Sequence, residues 1–238
     1  MNALHSLAPA AFLATILVAS PACAVDIITG LAADTQYVGP NNAYCQVDLY
    51  VTFASFANGY RLGAVFTTDF DLTGFGFADC LHDDTSANGT WAPQAVVNPL
   101  DSFVALGAEW GPGSDTYPDL LWGPQQFAQP TIPPGAGWFA NNPPAMQGDV
   151  SFVALSDTTG AVTYQGLAAL AARFILPAEL APGAWISLSA GCRWQYALDL
   201  DGLDSVQGSF QIAPIPAPSA TLLWLLAPAI TRRRSRRA

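Results

Sequence analysis

The stretch Val47-Asp48-Leu49-Tyr50-Val51-Thr52-Phe53 decides the fold. Val47, Leu49, Val51 and Phe53 recur at every second position, while Asp48 and Thr52 point away. That period is an extended strand with one face on a core. Asn58-Gly59 follows as a turn signal, and Arg61-Leu62-Gly63-Ala64-Val65-Phe66 resumes the alternation. Residues 46–67 therefore read as a hairpin with a wide loop.

Outward from this pair, 27–32, 74–80, 102–107, 150–156, 161–165, 184–190 and 205–212 have the same character. They are short, rich in β-branched and aromatic residues, and bounded by Gly, Asp, Asn or Pro. The spacing predicts an all-β chain, a single antiparallel β-sandwich of jelly-roll or immunoglobulin-like kind. Helical periodicity inside it is confined to Gly166–Ala172 (GLAALAA), one or two turns. Gly111 to Gly148 holds eight prolines and six glycines in 38 residues. That is too long for an ordinary connection, so it reads as a functional loop or an excursion anchored by Tyr117, Trp122, Phe127, Trp138 and Phe139.

The 238 residues divide into a signal peptide (1–24), a folded domain (25–214) and a C-terminal tail (215–238). Ala10 to Ala19 is an apolar run of the length of a signal-peptide core, too short to span a bilayer. Ala22-Cys23-Ala24 supplies the small-x-small cleavage pattern, with the cut after Ala24. At the other end Pro216-Ala217-Pro218-Ser219 precedes the apolar Ala220–Ile230 and a cluster that includes Arg232, Arg233 and Arg234. Apolar helical segments are thus expected at both termini. An apolar stretch of this length inserts but spans marginally, and the arginines stay cytoplasmic as a stop-transfer.

Charge separates the parts. The chain has no lysine, and between Val25 and Pro214 only Arg61, Arg173 and Arg193 face 18 acidic residues, a net charge of −15. Such a surface repels phosphate backbones, which excludes nucleic acid as a partner.

The tail resembles the PEP-type C-terminal sorting signal (PEP-CTERM) of Gram-negative bacteria, a Pro-Glu-Pro motif followed by a short apolar segment and an Arg cluster. Ala217 stands where that family has Glu, and Pro228 interrupts the apolar segment. The middle of the chain is similar to exported PEP-CTERM-type proteins with a β-sandwich domain of unknown function. The residues that carry this are Asp48-Leu49-Tyr50-Val51, Arg61-Leu62-x-Ala64-Val65-Phe66, Asp101-Ser102-Phe103-Val104 and Gly137-Trp138-Phe139. These resemblances imply export, a cell-surface or extracellular location, and passage through the export machinery and an exosortase-like enzyme. Transient membrane insertion through the tail goes with them.

After cleavage, Cys45, Cys80 and Cys192 would remain in an oxidising compartment, where one disulfide and one leftover thiol are expected, with the pairing open. His82 would be the one remaining histidine, so multi-His zinc sites are excluded. Cys80-Leu81-His82 would place thiol and imidazole on one face of a strand, a conceivable dyad, with a loop-end cysteine as the plainer alternative. Asp199-Leu200-Asp201-Gly202-Leu203-Asp204 sets three carboxylates about a Gly turn, so Asp199, Asp201 and Asp204 are candidate calcium ligands. An Asp-rich turn without an ion is the alternative. Trp91, Trp110, Trp122, Trp138, Trp185 and Trp194 could pack the core or stack on sugars. The expected function is non-enzymatic, structural or adhesive in the extracellular matrix, with polysaccharide as ligand. The alternative is a glycan hydrolase with an Asp/Glu acid–base pair, for which Glu109 and Glu179 are the only glutamates.

Overall fold

The computed structural model describes residues 26–82, 90–92, 100–107, 116–140, 150–196 and 200–212. Along these the chain forms β1 (Ile28–Val38), β2 (Tyr44–Phe53), β3 (Tyr60–Thr73), β4 (Phe103–Val104), β5 (Thr116–Pro118), β6 (Trp138–Ala140), β7 (Ser151–Ser156), β8 (Val162–Pro177), β9 (Trp185–Tyr196) and β10 (Leu200–Gln211). Short 3-10 segments lie at Pro40–Asn42, Phe77–Asp79 and Leu120–Ala128. The described chain is all-β, in two antiparallel sheets. The first has the order β1-β2-β8-β4, with β7 also on β8, and the second is β10-β9-β3-β6-β5.

The alternation in β2 does what its period demands. Cys45, Val47, Leu49, Val51 and Phe53 are buried together with Leu62 and Val65 of β3, Phe174 and Leu176 of β8, and Ile186, Leu188 and Cys192 of β9. One continuous buried cluster thus draws on both sheets. Each fully buried large aliphatic or aromatic side chain stabilises the fold by about 1.5–3 kcal/mol.

The expected hairpin is corrected. β2 pairs with β1 and β8, whereas β3 pairs with β6 and β9, so the two consecutive strands belong to different sheets. Both edges of β2 are already taken, so the Asn58-Gly59 turn, with Gly59 at φ +85°, carries the chain from one sheet to the other. Nor do Asp48 and Thr52 point into solvent, for both are buried. Arg173 of β8 donates to Asp48 through Nε (2.6 Å to Oδ1) and Nη2 (2.7 Å to Oδ2), and Gln46 Nε2 adds a 2.9 Å bond to Oδ2. The guanidinium carbon lies 5.4 Å from the centre of the Phe103 ring, giving the cation a π-face as well.

Two further expectations change. Gly166–Ala172 is the middle of β8 and not a helix: it pairs with β2 on one edge, and β7 and β4 share the other. Ala168, Ala169, Ala171 and Ala172 are all buried there, and burial on both faces outweighs alanine's helical preference. The segment 74–80 is no strand, because β3 ends at Thr73 and a 3-10 turn follows. The Pro/Gly-rich 111–148 stretch, where described, adds β5 and β6 to the second sheet. Trp122 Nε1 donates to the Gly137 carbonyl at 2.7 Å and Trp138 Nε1 to the Ala105 carbonyl at 2.8 Å, so two buried indoles tie this stretch down.

Candidate functional site

In the second sheet, inward residues build the core and the alternate residues form an outer face whose composition follows from the register. One row crosses all five strands: Tyr117 of β5, Phe139 of β6, Ala64 of β3, Arg193 of β9 and Leu203 of β10. The next rows are Phe66-Gly191-Ser205, Asp69-Ser189-Gln207, Asp71-Ser187-Ser209 and Thr73-Trp185-Gln211. From the first row to the last is about 25 Å at roughly 3.3 Å per residue. Tyr117, Phe139 and Trp185 are 40%, 38% and 40% exposed, a large share for aromatic side chains on regular strands. The rings of Tyr117 and Phe139 sit 6.3 Å apart, and the Ser187 and Ser209 hydroxyls pair at 2.8 Å.

At the centre of the face lies a groove of about 650 Å³, lined by Phe66, Thr67, Ser189, Gly191, Leu203 and Gln207 among others. Its floor depends on glycine. A Cβ placed on Gly191 would fall 2.3 Å from Phe66 Cε2, so the aromatic ring occupies the space that a side chain would take. Its rim depends on a bulge. The β3–β9 register breaks between Phe66 and Asp69, and Thr67 sits at φ +48°, an uncommon conformation for a β-branched residue. The bulge is held from behind: Thr68 Oγ1 donates to the Ala136 carbonyl at 2.7 Å, and Gly135 N–H donates to the Thr68 carbonyl at 2.7 Å. Strained backbone of this kind persists only where its surroundings fix it, and it gathers at functional sites.

The candidates read from sequence fall elsewhere. Cys45, Cys80 and Cys192 are free and buried, so the expected disulfide is corrected. Cys45 lies on the first sheet, Cys192 on the second, and Cys80 after the 3-10 turn, its Sγ aimed at the Gly76 carbonyl at 3.8 Å. Each fills core volume as a small apolar group. Burial pushes all three thiols up to about 12, away from the thiolate that a nucleophile needs. His82 Nδ1 lies 3.2 Å from the Ser102 carbonyl and its ring 4.4 Å from Trp91, whereas the Cys80 Sγ is directed at the Gly76 carbonyl and not at the imidazole.

Residues 201–204 are strand, not a Gly turn. Asp201 pairs with Arg193 on the outer face, and Asp204 accepts from the Ile28 N–H at 3.1 Å on the inner side. These two carboxylates therefore face opposite sides of β10. Asp199 lies outside the described residues, as do Glu109 and Trp110, the cleavage positions Ala22 and Ala24, and the tail residues Pro216, Ala217, Pro218 and Arg232 to Arg234. Glu179 is exposed in the turn after β8. Of the tryptophans, Trp91, Trp122 and Trp138 are core, and Trp194 packs over Gly202 beside Tyr60. Trp185 alone among those described reaches the outer face substantially exposed.

No family model, no curated protein and no solved structure matches this chain. Among the described residues no helix is long and apolar enough to cross a membrane.

Proposed function

We propose that the chain is an exported, non-enzymatic protein of the cell surface or extracellular matrix that binds polysaccharide on the outer face of its second sheet. The observation that carries this reading is the run of Tyr117, Phe139, Phe66 and Trp185 interleaved with serine, glutamine and aspartate on five hydrogen-bonded strands. Aromatic rings offer flat apolar surfaces to the C–H faces of sugars, while hydroxyl and amide groups between them both donate to and accept from sugar hydroxyls. A sheet holds such groups in place before the ligand arrives, which lowers the ordering cost of binding.

The sandwich arrangement over 25–214 is supported by the large buried cluster that both sheets supply. Export is supported by the two ends of the sequence. The signal peptide directs the chain to the export machinery, and the Pro-Ala-Pro, apolar and Arg tail offers an exosortase-like enzyme its site after transient membrane insertion.

A glycan array probed with the purified chain tests the binding role, with Phe139→Ala and Trp185→Ala beside it. The expected result is retention of at least one polysaccharide class, weakened severalfold in each variant at an unchanged melting temperature. Uniform background for the parent chain would end the proposal.

A further inference from the structure

We propose that the polymer this face takes is uncharged, a neutral polysaccharide with a sugar ring seated beside Phe66 in the groove over Gly191. The inference rests on the binding role above and specifies its ligand. Three observations carry it.

The first is the shape and chemistry of the groove. Phe66 lies in the space above Gly191 and offers an apolar platform, with Leu203 beside it and the side chains of Ser189, Ser205 and Gln207 around it. Hydroxyls and a primary amide carry donors and acceptors together, which suits a ligand whose own groups are hydroxyls.

The second is the placement of charge on the face. Asp69 and Asp71 are exposed on β3, Asp69 in the row of the groove-lining Ser189 and Gln207 and Asp71 in the next row. Of the two arginines on the face, Arg193 is held in an ion pair with Asp201, and both Arg193 and Arg61 lie on the far side of the groove from these aspartates. A chain of uronates or sulfates crossing the groove would pass the two carboxylates within a few ångströms. That is well inside the screening length of about 8 Å at physiological salt. The same carboxylates accept hydrogen bonds from the hydroxyls of a neutral sugar.

The third is the charge of the whole domain. Its −15 repels any polyanion during approach as well as on contact.

Affinity electrophoresis of the purified chain decides the matter, in native gels cast with β-glucan, xylan or dextran on one side and alginate or polygalacturonate on the other. Retardation is expected with at least one neutral polymer and with neither acidic one, and unchanged between about 50 and 500 mM salt. Ser205→Ala and Gln207→Ala, both at exposed positions, should each weaken retardation severalfold, and Phe66→Ala about tenfold. Asp69→Asn/Asp71→Asn should let the acidic polymers begin to bind. Stronger retardation by the uronates in the parent chain would overturn the neutral-ligand inference and leave the binding face standing. Retardation by neutral polymers that is indifferent to all three groove variants would remove the groove as its seat. Free migration in every gel would overturn the binding role itself.

Discussion

The Phe66 ring on β3 and the bare backbone of Gly191 on β9 are cross-strand partners, and the ring fills the place of the missing side chain. The three atoms nearest to a methyl at Gly191 all belong to that side chain, which can swing outward. Gly191→Ala should therefore cost about 1 kcal/mol or less while opening the floor of the groove. Gly137 is the contrasting case, because a Cβ there would lie 2.5 Å from the Val65 carbonyl oxygen and 2.7 Å from Phe66 Cα. Backbone cannot step aside, so Gly137→Ala should cost about 1–3 kcal/mol. Parallel urea melts give the ranking, and equal losses for the two variants would contradict it.

Arg173→Ala leaves the buried Asp48 carboxylate with the Gln46 amide but without its cation, and the expected loss is about 3–5 kcal/mol. Burial already drives the Asp48 pKa upward against the pull of Arg173 and Gln46. Removing the arginine raises it further. A carboxyl whose folded pKa lies above its unfolded one favours the fold below the unfolded value and loses that advantage as pH rises through the folded one. The gap between variant and parent should accordingly be widest near neutrality and shrink toward pH 4. Denaturant melts across that range read it directly.

The buried thiols predict alkaline sensitivity. Cys45, Cys80 and Cys192 stand at about 12 in the folded chain, against about 8.5 for an unfolded cysteine. Their contribution is complete below pH 8.5 and is lost as pH rises toward 12, at about 1.4 kcal/mol per pH unit for each thiol. Tyr50, also pushed up to about 12, adds to the fall only above roughly pH 10. Cys192→Ala should flatten the decline between pH 8.5 and 10 by about a third. A thiol reagent at pH 8 should find none of the three in the native chain and all three in denaturant.

Mass spectrometry of the secreted protein should show an N-terminus at Val25 and a C-terminus between Ile215 and Ser219. An intact Arg232–Arg237 cluster on material released to the medium would rule out processing of the tail.

The strands were legible because alternation reports burial of one face, and β1, β2, β7, β9 and β10 lie where the period puts them. Partnership was not legible. Nothing local in 46–67 tells a hairpin from a change of sheet, since either requires a turn at Asn58-Gly59. The alanines of β8 misled for a related reason: their preference is local, whereas their environment is set by β2, β4 and β7. The outer face was partly readable. Ser187 and Ser189, and Ser205, Gln207, Ser209 and Gln211, at alternate positions mark a solvent side, but Phe66 joins them only through its register with Gly191. The three cysteines were read by compartment, and their surroundings proved to be apolar core.

Leu49 pairs with Ala172, and Val65 pairs with Cys192. Both β2 and β3 thus find partners more than a hundred residues further along, although only a short turn separates the two strands. While the chain is being made, its first half can pair β1 with β2, but β3 and β4 still await their partners and neither sheet closes before β8 or β9. Contacts this distant close late. On the export proposed above, that delay would keep the chain extended for passage through a membrane pore, its tertiary structure waiting until nearly all of it has emerged.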